Sequence, residues 1–147
     1  MSRSRRGYAL KVEIRAAPGR VWTALSQQAE FLRWWMEPAE LDLRADGSLR
    51  AQLDAQHEID MLVDIFDPPK RLRLIHLPST AVPAFEGVVV DDLLLETAPQ
   101  GTIFRILGSG FPAEKGFERS YLRLRRSWER NMARLKVYLE KVSKESP

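Results

Sequence analysis

The stretch FERSYLRLRRSWERNMARLKVYLEKV, residues 117–142, decides how this chain folds. At 100° per residue, Phe117, Tyr121, Leu124, Trp128, Met132, Leu135, Leu139 and Val142 fall on one narrow stripe. Arg119, Arg123, Arg126, Arg130 and Arg134 fall on the opposite face. A helix over this span is roughly 40 Å long at 1.5 Å per residue, longer than most helices of small domains. Everything before it alternates or turns like short strands, so the helix is expected to lie across a sheet. A sheet and a long helix together can enclose a pocket.

Working back from the helix, Gly108-Ser109-Gly110 and Pro112 read as its preceding loop. Residues 102–107 read as a strand with Phe104 and Ile106 on one face. Residues 88–96 are apolar except for Asp91 and Asp92, a break in alternation that predicts a bulge. An outward salt bridge to Arg71 or Arg73 is the favoured role for these aspartates, ahead of an inward base or cation ligand. Leu72, Leu74 and His76 share one face of a strand, and Asp67-Pro68-Pro69 forces the turn before it. His57, Ile59, Met61, Val63 and Ile65 mark the longest strand. Asp46-Gly47 supplies hairpin chemistry between two shorter ones. Near the start, Tyr8, Leu10, Val12 and Ile14 alternate as a strand, Pro18 suits the first turn of a short helix, and a second short helix covers 29–36 until Pro38 stops it. This order predicts an α+β fold: a curved antiparallel sheet wrapped around a long C-terminal helix, with two short helices after the first strand.

The 147 residues are expected to form one domain, with 1–6 and 144–147 as tails. The absence of cysteine excludes disulfides, thiol nucleophiles and thiolate metal sites. No apolar segment of signal-peptide character follows the basic start, and no apolar run reaches the length that spans a bilayer, so a cytoplasmic location is expected. Net charge is only +3, but the arginine stripe has no glutamate at helical spacing within it. It reads first as a solvated face balanced by acids elsewhere. Nucleic acid is not an expected partner, because no aromatics interleave the arginines.

Several stretches, in order, resemble the START-like, or SRPBCC, superfamily, and more narrowly the homologues of the heat-shock ATPase activator. Residues 17–25 (APGRVWTAL) are similar to the first-helix motif of that branch, and Phe31-Leu32-Arg33-Trp34-Trp35 to its tryptophan pair. Asp46-Gly47-Ser48-Leu49-Arg50 resembles its hairpin, and residues 67–72 (DPPKRL) the turn after its central strand. Gly101-Thr102 and Gly110-Phe111 match the last strand and its exit; Ser127-Trp128, Leu135 and Tyr138-Leu139 match the final helix. Ser127 departs from the glycine that commonly precedes this tryptophan, and Ala45-Asp46-Gly47 from a more glycine-rich hairpin. The resemblance spans roughly residues 8–141 and implies a helix-grip fold with a hydrophobic cavity. It implies no single activity.

The expected function is therefore binding of a small hydrophobic or amphipathic molecule, lipid-like or polyketide-like, between the sheet and the C-terminal helix. Trp34, Trp35, His76, Phe104, Phe111, Phe117, Tyr121, Leu124 and Trp128 are the candidate cavity residues. The tryptophans offer apolar area and an N–H to orient a polar group; simple core packing is the competing role for all of them. His76 is a candidate for mutation, but neither histidine has a carboxylate or serine at a defined spacing, so no catalytic residue is assigned. A cyclase or aromatase would need His76, Tyr121 or Asp91 to converge inside the cavity. A chaperone-associated interaction module would instead use Arg119, Arg123, Arg126, Arg130 and Arg134 as its partner surface. Two histidines without cysteine argue against a metal site, and the chain lacks the phosphate-loop, dinucleotide and serine-hydrolase motifs, so no cofactor is expected.

Overall fold

The computed structural model describes residues 5–145. Seven strands form one antiparallel sheet in the order β1-β7-β6-β5-β4-β3-β2. They are β1 (Arg5–Ile14), β2 (Ala39–Asp42), β3 (Ser48–Gln52), β4 (Glu58–Asp67), β5 (Arg71–Leu77), β6 (Val90–Ala98) and β7 (Gly101–Pro112). From β2 to β7 each strand pairs with its sequence neighbour, so hairpin turns set most of the topology. The long-range step is β1, which pairs with β7 from Arg5↔Pro112 to Ile14↔Thr102. Helices α1 (Pro18–Ser26) and α2 (Gln28–Trp35) carry the chain from that edge to the other, and Pro18 opens α1 where its missing N–H costs nothing. Met36 ends α2 in the left-handed conformation, at φ 71°.

Helix α3 (Glu118–Glu145) follows a single 3₁₀ turn at Lys115–Phe117. Its inner stripe, Tyr121, Leu124, Trp128, Met132, Leu135 and Leu139, is buried in the core. Burial of each such side chain contributes about 1.5–3 kcal/mol. Packing thus holds a helix whose outer face is arginine. Val142 lies beyond the side chains described.

Four expectations change in detail. The strand β1 begins at Arg5, inside the stretch read as a tail, and α3 continues to Glu145; residues 1–4 and 146–147 lie outside the described residues. The glycine stretch read as a loop, Gly108-Ser109-Gly110, is part of β7. The β1–β7 pairing steps from Arg6↔Phe111 to Tyr8↔Gly108, leaving Ser109 and Gly110 opposite Gly7 in a bulge where Gly110 has φ 93°. The bulge expected at Asp91–Asp92 does not occur; β6 keeps register on both sides through these residues. A bulge occurs instead at Asp64, between Val63↔Leu74 and Ile65↔Arg73. Beyond it Phe66, rather than Ile65, packs against the core, with its ring 5.6 Å from that of Trp22.

Candidate functional site

Asp91 is the one fully buried acid among the described residues, with no exposed surface. Alternation along β6 sends Asp91, Leu93 and Leu95 inward, while Asp92 points out and forms the ion pair with Arg71 at 2.7 Å. The outward salt bridge expected of this pair thus belongs to Asp92 alone.

A buried carboxylate persists only where hydrogen bonds replace its water. Three donors, from three separate elements, do so here. Tyr8 on β1 donates its hydroxyl to Oδ1. Trp128 on α3 donates Nε1–H to Oδ2 at 3.1 Å, and His76 on β5 places Nε2 2.7 Å from the same oxygen. An ionised carboxylate accepts and cannot donate; with Asp91 ionised, the hydrogen of this pair lies on Nε2. Burial, and after it the Asp91 carboxylate, push the Tyr8 hydroxyl well above the ordinary tyrosine pKa, so Tyr8 remains a donor.

This arrangement leaves one polar atom over. Nδ1 of His76 is buried and has no hydrogen-bond partner among the described residues. A buried polar atom left unsatisfied costs about 1–3 kcal/mol, and such exceptions in an otherwise satisfied interior call for an explanation.

Aromatic rings surround the cluster. Trp35 meets Trp128 edge to face at 5.6 Å and stacks on Phe31 at 5.1 Å, and Trp34 meets Phe31 at 4.7 Å. On the other side Tyr8, Phe111 and Tyr121 pack with centroids 5.5–6.1 Å apart. Asp91 joins the two groups through its bonds to Trp128 and Tyr8.

Of the candidate cavity residues, Trp34, Trp35, His76, Phe104, Phe111, Tyr121, Leu124 and Trp128 are all buried. Phe117 is half-buried and stands apart, against Phe85 at 5.2 Å. The indole N–H groups have internal partners: Trp34 donates to the carbonyl of Ala24 and Trp35 to that of Gln52, both at 2.9 Å, and Trp128 to Asp91. Tyr121 donates to the carbonyl of Gly7 at 3.0 Å, so it does not join His76 and Asp91. Sequence reasoning missed Tyr8 altogether and set Asp91 aside. A tyrosine on an inward strand face and a lone inward acid carry no mark of their meeting.

The arginine stripe divides. Arg119, Arg123, Arg126 and Arg130 line a recess of about 320 Å³ with Leu53, Asp54, Leu122 and Ser127. Arg134 hydrogen-bonds Asn131 at 3.4 Å and turns toward a separate recess of about 530 Å³ with Arg33, Trp34, Met36 and Val137. Among the described residues, no group of three or more histidine, aspartate or glutamate side chains is placed to hold a metal ion, and no helix is long and apolar enough to cross a membrane.

A curved antiparallel sheet closed by a long C-terminal helix defines the helix-grip class of the SRPBCC superfamily. Within it the chain belongs to the family described as Activator of Hsp90 ATPase homolog 1-like protein, whose model matches residues 15–140. Solved structures share the fold. Protein MLL2253 from Mesorhizobium loti superposes with a TM-score of 0.78 at 24% identity, covering 92% of this chain and 98% of that one. DynU16, a protein of the dynemicin biosynthetic locus, gives 0.73 at 19% identity over 91% of this chain and 47% of its own. CalU16 from Micromonospora echinospora gives 0.68 at 20% identity over 91% and 74%. Among curated proteins there is no match.

Proposed function

We propose that this protein binds a small hydrophobic or amphipathic molecule between the sheet and α3. The observation that carries the reading is the unpartnered Nδ1 of His76, held by Asp91 within an aromatic interior. A domain built only for stability gains nothing from three ordered donors around a buried charge, since an apolar core of equal volume serves as well. The superfamily's fold typically binds small hydrophobic ligands, which supports the same reading. Under this reading residues 78–89, between β5 and β6, are the segment through which a ligand enters. They connect the strands bearing His76 and Asp91, lack regular structure, and bury Ala81 and Val82 against the core.

Native mass spectrometry of freshly purified protein, followed by solvent extraction, tests this. A small apolar molecule that travels with the chain supports it. A clean mass, together with no uptake of an apolar fluorophore, rejects it.

A second reading rests on the outer face. Arg119, Arg123, Arg126 and Arg130 share one recess and make no salt bridge among the described residues. Unpaired cations in a concavity suit an acidic protein partner. Under this reading Arg123→Glu with Arg130→Glu abolishes partner capture and leaves ligand uptake unchanged. Unchanged capture rejects it.

A further inference from the structure

Resting on the ligand-binding reading above, we infer that the ligand is a hydroxyl-bearing apolar molecule, a phenol or alcohol, whose O–H donates to Nδ1 of His76. The geometry assigns the proton pattern. Trp128 Nε1–H can only donate, so Asp91 Oδ2 accepts from it, and the same oxygen faces His76 Nε2 at 2.7 Å. The carboxylate therefore holds the imidazole with its hydrogen on Nε2, as a buried aspartate fixes the tautomer of a catalytic histidine. Nδ1 is left as a lone pair. The other patterns, an imidazolium or a neutral imidazole that accepts from a protonated Asp91, each leave an Nδ1–H donor unsatisfied in the buried interior, and the imidazolium adds a charge to it.

An acceptor of this kind selects its partner by chemistry. A ligand hydroxyl completes the hydrogen bonding of the interior; a methyl ether of the same shape leaves two acceptors facing each other. A site built to hydrogen-bond a group discriminates strongly against the analogue that lacks it, because the buried atom is then unpaired.

Equilibrium dialysis with 2-naphthol and 2-methoxynaphthalene reads this selection. The wild-type protein is expected to hold 2-naphthol at least tenfold more tightly than the ether, and His76→Phe to bring the two within about twofold. Equal binding by the wild type overturns the inference and leaves the ligand-binding reading standing. Binding of neither probe, with no co-purified molecule, overturns both. A preference that survives in His76→Phe overturns the assignment to Nδ1. Should His76→Phe fail to fold, ¹⁵N spectra of the wild-type imidazole decide. A bare Nδ1 at pH 7 whose resonance moves on addition of 2-naphthol supports the inference, and a protonated or unmoved Nδ1 overturns it.

Discussion

Tyr8 on β1 reaches Asp91 on β6 across the whole width of β7, because the residue beneath its ring is Gly108. A Cβ at Gly108 would lie 2.3 Å from Cζ of Tyr8, inside any allowed contact. The glycine therefore acts through the space it leaves, and the ring crosses the strand where a side chain would stand.

Gly108→Ala is accordingly expected to destabilise the fold by about 2–4 kcal/mol, from overpacking and from loss of the Tyr8–Asp91 bond. Urea denaturation of Gly108→Ala, Tyr8→Ala and the double variant measures it. The two costs should be strongly non-additive, since removing the ring removes the clash. Simple additivity would mean that Gly108 matters for some other reason.

Tyr8 also predicts an alkaline limit. Its pKa is raised in the folded protein, by burial first and Asp91 second, so folding favours the protonated phenol. That stability is fully present below the ordinary tyrosine value near pH 10 and is lost as pH rises toward the folded pKa. Denaturation profiles from pH 8 to 11.5 should show Tyr8→Phe losing less stability than the wild type above about pH 10. Parallel curves would contradict the shift.

At Trp128 the ring and the N–H should separate. Trp128→Ala is expected to cost about 3–5 kcal/mol, the range for a large buried aromatic. Trp128→Phe keeps most of the packing and removes one donor to Asp91, and should cost less, about 1–3 kcal/mol. Thermal unfolding of both variants distinguishes these; equal losses would mean that the hydrogen bond, and not the ring, dominates.

Glu30 sets an acid limb. Arg20 holds it bidentately at 2.7 and 2.8 Å and Tyr138 also donates to it, and the Arg20 bonds are the main cause that keeps its carboxyl below the ordinary glutamate value. A depressed pKa adds stability above about pH 4.5 that is lost as pH falls through the folded value. The pair is partly exposed, so Glu30→Gln should cost less than about 1 kcal/mol at pH 7 and flatten the profile between roughly pH 5 and 3. A wild-type-like acid limb in this variant would assign the effect elsewhere.

Periodicity in the sequence determined the large features. The stripe from Tyr121 to Leu139 specified the long helix and its buried face, because a 3.6-residue repeat of apolar side chains has one way to leave water. Alternation and turn residues specified the strands, the inward side of His76, and the hairpin order of β2 to β7. The family could be read from short motifs because their order along the chain survives where any one alone is weak. Tertiary structure decided the site. Tyr8, His76, Asp91 and Trp128 come from three strands and a helix, and the pairing of β1 with β7 brings Tyr8 to Asp91 across 83 residues of sequence. Local pattern records which face a residue takes and not which residue it meets there. For that reason Asp91 read as a flaw in an apolar strand, and Gly108 as a loop, until packing showed one as the acceptor at the centre of the interior and the other as the gap that lets Tyr8 reach it.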